Sequence, residues 1–387
     1  MQPRVRLSLF MAMAMVVALI PAIASANGDQ TRTVDSVEFL GSVSIATGTE
    51  FAGTEIGGLS SITYDANRNT YYTLSDDQGN RDTGDPVRYY GVDIDLSDGT
   101  LDDGDVTFVA VTPLYDQRRN PFAPGGLDPE GFVLGAGGDF YMTSEGNIFA
   151  DPIIDPFIRR FNDRGNPTGT LPIPDHYLPN GVDHGVRFNL GFESLNLTPD
   201  GAELVTAGEG ALFQDGPAST FTEGSLARIL IYNHRARQPV AEYVYSVGPW
   251  AEPSAIFGVN GIVEVLPIDS AGTMLVMERS FSVGGVLGGG TGNVVDIYEV
   301  STAGATDVLA IDALYADGAP IAHTPVSKRH IFSFDDLGIP IDNIEGLTFG
   351  PRLADGRHTL VIVSDNNFSP GQFTQFVVLA ADIQPPD

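Results

Sequence analysis

The residues of this chain that could do chemistry as a group are its acids. Glu130, Glu193 and Glu345 each open a short apolar run, while Asp76, Glu145, Glu209, Glu278 and Asp365 each close one. If the fold brings these run ends together, so many carboxylates cannot all stay ionised without a counter-charge. Oxygen-rich sites without thiols select Ca²⁺ or Mg²⁺, and a multidentate, somewhat flexible set favours Ca²⁺. Ca²⁺ is therefore the expected cofactor. Asp77, Asn366 and Asn367 would add oxygen ligands beside the run ends. The competing use of these acids is hydrogen bonding to backbone amides and pairing with arginines. Other chemistries lack their residues. His176, His184, His234, His323, His330 and His358 are scattered without a zinc spacing. No G-x-S-x-G elbow anchors a serine triad. The glycines at 284–292 lack the G-K-[ST] ending and following helix of a phosphate loop, so a flexible loop is expected there.

The elements that must position these acids recur. Gly58-Leu59-Ser60-Ser61-Ile62 leads through a turn to Tyr71–Asp76, and Glu130-Gly131-Phe132 to Phe140–Glu145. Glu193-Ser194-Leu195 leads to Leu204–Glu209, Asn260-Gly261-Ile262 to Met274–Glu278, and Glu345-Gly346-Leu347 to Leu360–Asp365. Each unit is a strand, a tight turn and a second strand, and further β-branched runs such as Arg88–Asp95, Val106–Val111 and Val240–Ser246 follow. Units of four strands repeated around a ring define an all-β propeller, here with five blades. Six blades would follow if the connection 301–341 hides a degenerate one. The fifth unit has only Gln375–Ala380 after it, so Ser36–Ile45 is expected to supply its missing outer strand and close the ring. The start of each first strand and the end of each second then share one face, and the turn between them lies opposite. Asp65, Asp200, Asp269 and Asp355 fall in those turns and read as turn caps. Asp98, Asp102, Asp103 and Asp105 read as a solvated loop.

Composition narrows the class. The chain has 387 residues, a formal net charge of −30 and no cysteine. Lys328 is the only lysine. So acidic a chain does not bind nucleic acid through its general field, and no disulfide can brace it. Arg4 and Arg6 precede an apolar run over Leu7–Ile23 and an Ala24-Ser25-Ala26 cleavage site, the pattern of a signal peptide over 1–26. Residues 27–387 would then be one exported domain, periplasmic or extracellular, a monomer with no membrane segment after cleavage.

These motifs together resemble the phytase-like esterase family. The carriers are GLSSITYD…YYTLSDD (58–77), DPEGF (128–132), NLGFESLNLTPDG (189–201), MLVMERSF (274–281) and IEGLTFGPRLADGRHTLVIVSDNNF (344–368), in order over nearly the whole mature chain. The first block departs from the pattern: Gly58-Leu59 stands where other repeats have Glu-Gly, which would remove one ring ligand. The resemblance implies a propeller that uses Ca²⁺ to gather phosphate and activate water. Its acidic centre would be Glu130, Glu193 and Glu345, as both catalytic residues and metal ligands, with Asp76, Glu145, Glu209 and Asp365 as further metal ligands. Arg279 lies in a family block, and Arg88 and Arg228 would join it as phosphate clamps.

Three functions compete at this point. The first is a metal-dependent phosphoesterase acting on a small phosphate ester, with a rim carboxylate as general base. The second is a Ca²⁺-dependent lactonase or carboxylesterase. The third is a binding propeller in which Ca²⁺ only stiffens the channel.

Overall fold

The computed structural model describes residues 31–78 and 84–384. The expected signal peptide, 1–26, lies outside the described residues. Five four-stranded antiparallel sheets follow one another along the chain. Blade 1 is built from Leu59–Asp65, Thr70–Ser75, Arg88–Ile94 and Val106–Pro113. Blade 2 comprises Pro129–Leu134, Phe140–Ser144, Phe157–Phe161 and Pro167–Leu171, and blade 3 Asn196–Leu197, Glu203–Ala207, Ser225–Asn233 and Gln238–Val247. Blade 4 contains Gly258–Pro267, Thr273–Ser282, Asn293–Ser301 and Ser327–Ser333. Blade 5 contains Asn343–Arg352, His358–Asp365 and Phe373–Gln384, and its outer strand is Thr33–Ala46, paired along its length from Thr33–Gln384 to Ala46–Phe373. The N-terminal strand thus closes the ring as expected. There is no sixth blade among the described residues: the 301–341 stretch supplies the fourth strand of blade 4. No helix among the described residues is long and apolar enough to cross a membrane.

The core is divided among the blade interfaces, because alternate residues of a strand face opposite neighbours. Val361 and Val363 of blade 5 pack with Leu59, Ile62 and Tyr90 of blade 1. Leu360 and Ile362, one residue out of phase, pack with Leu275 and Met277 of blade 4. Leu74 meets Phe132 and Met142 across the blade 1–2 interface. Tyr141 meets Leu195 and Leu204 between blades 2 and 3, and Val205 and Ala207 meet Ile262 and Val276 between blades 3 and 4. Each fully buried aliphatic side chain contributes about 1.5–3 kcal/mol, so stability is spread around the ring.

The turn acids do what their position dictates. Asp65 Oδ1 accepts the Asn67 amide at 2.9 Å, Asp200 Oδ1 the Ala202 amide at 2.9 Å and Asp355 Oδ1 the Arg357 amide at 3.0 Å. Asp269 Oδ1 accepts both the Ala271 and Thr273 amides at 2.8 Å. The 284–292 segment is not wholly loop: Val283–Leu287 forms a single helical turn, with the Ser282 hydroxyl accepting the Gly285 amide.

Candidate functional site: an acidic centre at one end of the channel

Local backbone irregularity aims the acids. In blade 2 the register between first and second strands shifts between Pro129 and Phe132, and in blade 5 between Ile344 and Gly346. Such bulges twist a strand and redirect the extra side chain, here Glu130 and Glu345. In blade 3 an isolated Phe192–Gly208 bridge precedes Glu193. In blade 1 the equivalent shift lies between Leu59 and Ser61. The ring position there is therefore Ser60, not Gly58; the loss of one ring carboxylate stands, two residues further on. The Ser60 hydroxyl turns to the Pro129 and Glu130 carbonyls at 3.3 and 3.4 Å. The glycines after Glu130 and Glu345 let neighbouring first strands touch. A Cβ on Gly131 would overlap the Ser194 carbonyl carbon, and one on Gly346 would lie 2.9 Å from the Ser61 Cα.

Every metal candidate drawn from the resemblance lies in one cluster. Glu130, Glu145 and Glu193 bring ligand oxygens within 4.8 Å of one another and are all buried. Glu130 senses Glu193, Glu345 and Asp76; Glu193 senses Glu145, Glu209 and Glu345; Asp76 senses Asp365. Burial is the main cause that holds these carboxyls above their ordinary range; mutual repulsion adds to it at Glu130, Glu193 and Asp76, whereas Arg279 opposes it at Glu345. Glu209 is pushed up to about 7 by burial, although Arg279 opposes the shift. Several oxygens find no partner: Asp76 Oδ1, Glu145 Oε2 and Glu209 Oε2 are buried and unsatisfied. Asp128, which sequence reasoning passed over, belongs to the cluster as well. It is the largest charge acting on Glu145, and it accepts a hydrogen bond from Gln78. Its signal was its place two residues before Glu130 in DPEGF.

Of the three arginines expected to clamp phosphate, only Arg279 enters the cluster. It donates to Asn343 Oδ1 at 2.5 Å, to Glu345, and to Glu209 at 3.4 Å, while its Nε has no partner. Arg88 and Arg228 are spoken for elsewhere. Arg88 donates to the Tyr90 hydroxyl, Asp77, and the Pro86 and Glu55 carbonyls. Arg228 holds Asp215 and Glu242 at 2.6 Å and the Ile311 carbonyl at 3.0 Å. Both are fully buried with their donors engaged, so neither is placed to meet a substrate.

Other expectations are corrected too. Glu278 leaves the rim: it accepts from Tyr245 at 2.6 Å, Asn260 at 3.1 Å and Lys328. Asp77 pairs with Arg88 at 3.0 Å. Asn366 accepts the Gly58 amide and donates to Thr47, so it ties blades 1 and 5 together rather than offering a ligand.

The donor set suits a hard cation. Buried, unsatisfied carboxylate oxygens around the Glu130–Glu145–Glu193 corner, with Arg279 the one guanidinium among the described residues of the cluster, offer the anionic oxygen cage that Ca²⁺ prefers.

Fold and site together define a five-bladed propeller with a buried ring of carboxylates joined by Arg279 at one end. The profile of the family described as "Phytase-like: Esterase-like activity of phytase" matches residues 54–368, and the chain belongs to that family. An "Uncharacterized secreted protein" of Arthroderma benhamiae is 25% identical over 192 residues, 41% of this chain and 35% of the relative; the match spans about a third of that protein's length. Among solved structures, the Neurospora crassa Pan2 WD40 domain is similar at 7% identity and TM-score 0.33, covering 90% of this chain and 96% of that one. A chain of the "Crystal Structure of Mitotic Checkpoint Complex" is similar at 10% identity and TM-score 0.31, covering 82% and 62%. Likenesses at that level carry no weight here; the blade topology defines the fold.

Proposed function

We propose that this protein is an exported, Ca²⁺-dependent hydrolase of phosphate esters, working at the acidic end of the channel. The observation that carries the reading is the set of buried carboxylate oxygens without partners, in a cluster with one guanidinium among the described residues. Uncompensated buried charge is costly, and a divalent cation is the partner that would relieve it. Family membership supports the hydrolase class, and the secreted relative, with the signal-like N-terminus, supports export to the periplasm or beyond.

Glu130, Glu145 and Glu193 would hold the cation, with Asp76 and Asp128 in reach on the blade 1 side. Bound there, Ca²⁺ supplies charge neutralisation for phosphate oxygens and acidifies water. The chain's own residues do the rest. Arg279, held by Glu345 and Asn343, would set its positive charge against a phosphate oxygen and orient it. Glu209 borders the cation corner at Glu193 and meets Arg279 at 3.4 Å. Its Oε2, buried without a partner, would accept the proton of the attacking water. Glu345 and Asp365 fix the position of Arg279 and Asn343.

The test is melting temperature and hydrolysis of aryl phosphate, aryl carboxylester and lactone substrates, in Ca²⁺ and in chelator. A ligand bound to the native state alone adds about 2.7 kcal/mol at a hundredfold excess over Kd. The expected outcome is a rise of a few degrees with Ca²⁺ and phosphate-ester hydrolysis that chelator abolishes. Identical melting curves would remove the metal from the site. Ca²⁺ binding without any hydrolysis would leave a binding propeller.

A further inference from the structure

The acid-bearing face also carries the protein's exposed apolar surface. Apart from Val109 and Val240, the large apolar side chains left exposed among the described residues lie on connections of this face. Phe149, Phe188 and Val182 stand between blades 2 and 3; Ile256, Phe257 and Leu287 stand at blade 4. Phe149 is 75% exposed and Phe188 46% exposed, yet their rings lie 4.9 Å apart.

This pair is joined to the cation corner by its own backbone. Phe149 lies on the loop that leaves Glu145, and Phe188 on the connection that runs into Glu193. The two segments meet at Glu145, whose Oε1 accepts the Gly191 amide at 2.5 Å; a Cβ on Gly191 would lie 2.8 Å from the Glu145 Cα. Both segments are anchored. The Phe149 amide donates to Asn147 Oδ1 at 3.0 Å, and Arg187 donates to the Ala211 and Gly216 carbonyls at 2.9 and 2.7 Å. Aromatic rings left in water on anchored segments that lead into a polar centre are what a ligand with an apolar part would cover. Among the described residues the centre offers one guanidinium, Arg279, which suits a single anionic head; further charges of a polyanion would meet the described carboxylates.

We propose that the substrate is a monoester joining one small anionic head to an apolar alcohol, the head at the Glu130–Glu145–Glu193 corner and the apolar group on Phe149 and Phe188. The inference rests on the proposed hydrolase reading and adds the substrate class. In the reaction, water oxygen bonds to phosphorus, the bond from phosphorus to the alcohol oxygen breaks, and a proton passes to the departing alcohol.

The experiment uses the full chain with Ca²⁺ and compares hexyl phosphate with ethyl phosphate. A fully buried methylene multiplies affinity by roughly fourfold and a half-covered one by about twofold. Wild type should therefore favour hexyl phosphate by about tenfold or more in kcat/KM. The ratio should fall to about two in F149A/F188A and largely return in F149L/F188L, which restores apolar cover. Calorimetry with hexylphosphonate and ethylphosphonate reads the same preference without turnover. Equal hydrolysis of both esters, or a preference untouched in F149A/F188A, overturns the apolar subsite while leaving the hydrolase standing. Tighter binding of hexylphosphonate that is lost in F149A/F188A, with neither ester cleaved, upholds the subsite and overturns the hydrolase.

Discussion

The acids at the channel end divide by their surroundings. Glu130 and Glu193 have like charges as their main neighbours, whereas Glu209 and Glu345 share Arg279. Removing charge should therefore have two different effects. Glu130→Gln or Glu193→Gln should abolish the Ca²⁺-dependent rise in melting temperature, because an amide keeps the shape but not the charge that holds the cation. Glu209→Gln should retain bound metal by elemental analysis and lower kcat about 10²–10⁴-fold, as loss of a general base does. A different titration operates at the opposite end. Burial, reinforced by Arg352 and Arg32, pushes the His358 imidazole down to about 4 from an ordinary 6.5. Its folded form resists the proton that the unfolded chain accepts. The stability it supports is complete above about pH 6.5, declines as pH falls toward 4, and is level below that. Denaturant melts of His358→Phe should show a shallower loss than wild type across that window. A pH profile identical to wild type would mean the imidazole is solvated.

At the scale of the element, the period of two decides which side chain faces the channel. Asp76 shares its side of the strand with Leu74, Glu145 with Tyr141, Glu209 with Val205, and Asp365 with Val363; each of these packs on the following blade. In blade 4 that side belongs to Leu275 and Met277, so the next member is Arg279, and Glu278 falls on the other side with Met274 and Val276. One residue of offset replaces an acid with a base. The repeat, its turns and its acids were legible in the sequence because turn chemistry and apolar alternation are local. The offset was not, since it depends on which neighbour each face meets. The outer strand of blade 4 escaped for another reason: SKRHIFS is a charged edge strand that carries no apolar alternation. Two element-scale variants follow. Gly131→Ala, forcing a Cβ into the Ser194 backbone, should lower stability by about 1–3 kcal/mol in urea melts. Arg228→Ala should cost more, about 3–5 kcal/mol, because Asp215 and Glu242 are then left buried without their counter-charge. It also frees the Ile311 carbonyl, where the long connection to the last strand of blade 4 is pinned.

At the scale of the whole molecule, the ring has one seam sewn by non-adjacent chain. Residues 33–46 lie on the Phe373–Gln384 strand, and Leu40 also accepts the Leu101 amide at 3.0 Å, which links the closing strand to blade 1. Deleting residues 27–46 would expose the blade 5 edge and uncover Val378 and Phe376. The expected product is insoluble or loosely packed protein with a broadened thermal transition; an unchanged melting temperature would show that the ring closes elsewhere. The same seam governs time. Four blades can assemble in the order in which their strands are synthesised, each from local hairpins. The last cannot, because its outer strand is made first and its inner neighbours last. The earliest segment must wait, unpaired, until Gln384 exists, and then find it across nearly the full length of the chain. Such distant closure is slow, and until it happens the open edge can pair with another molecule. Renaturation yield should therefore depend on protein concentration far more than native stability does.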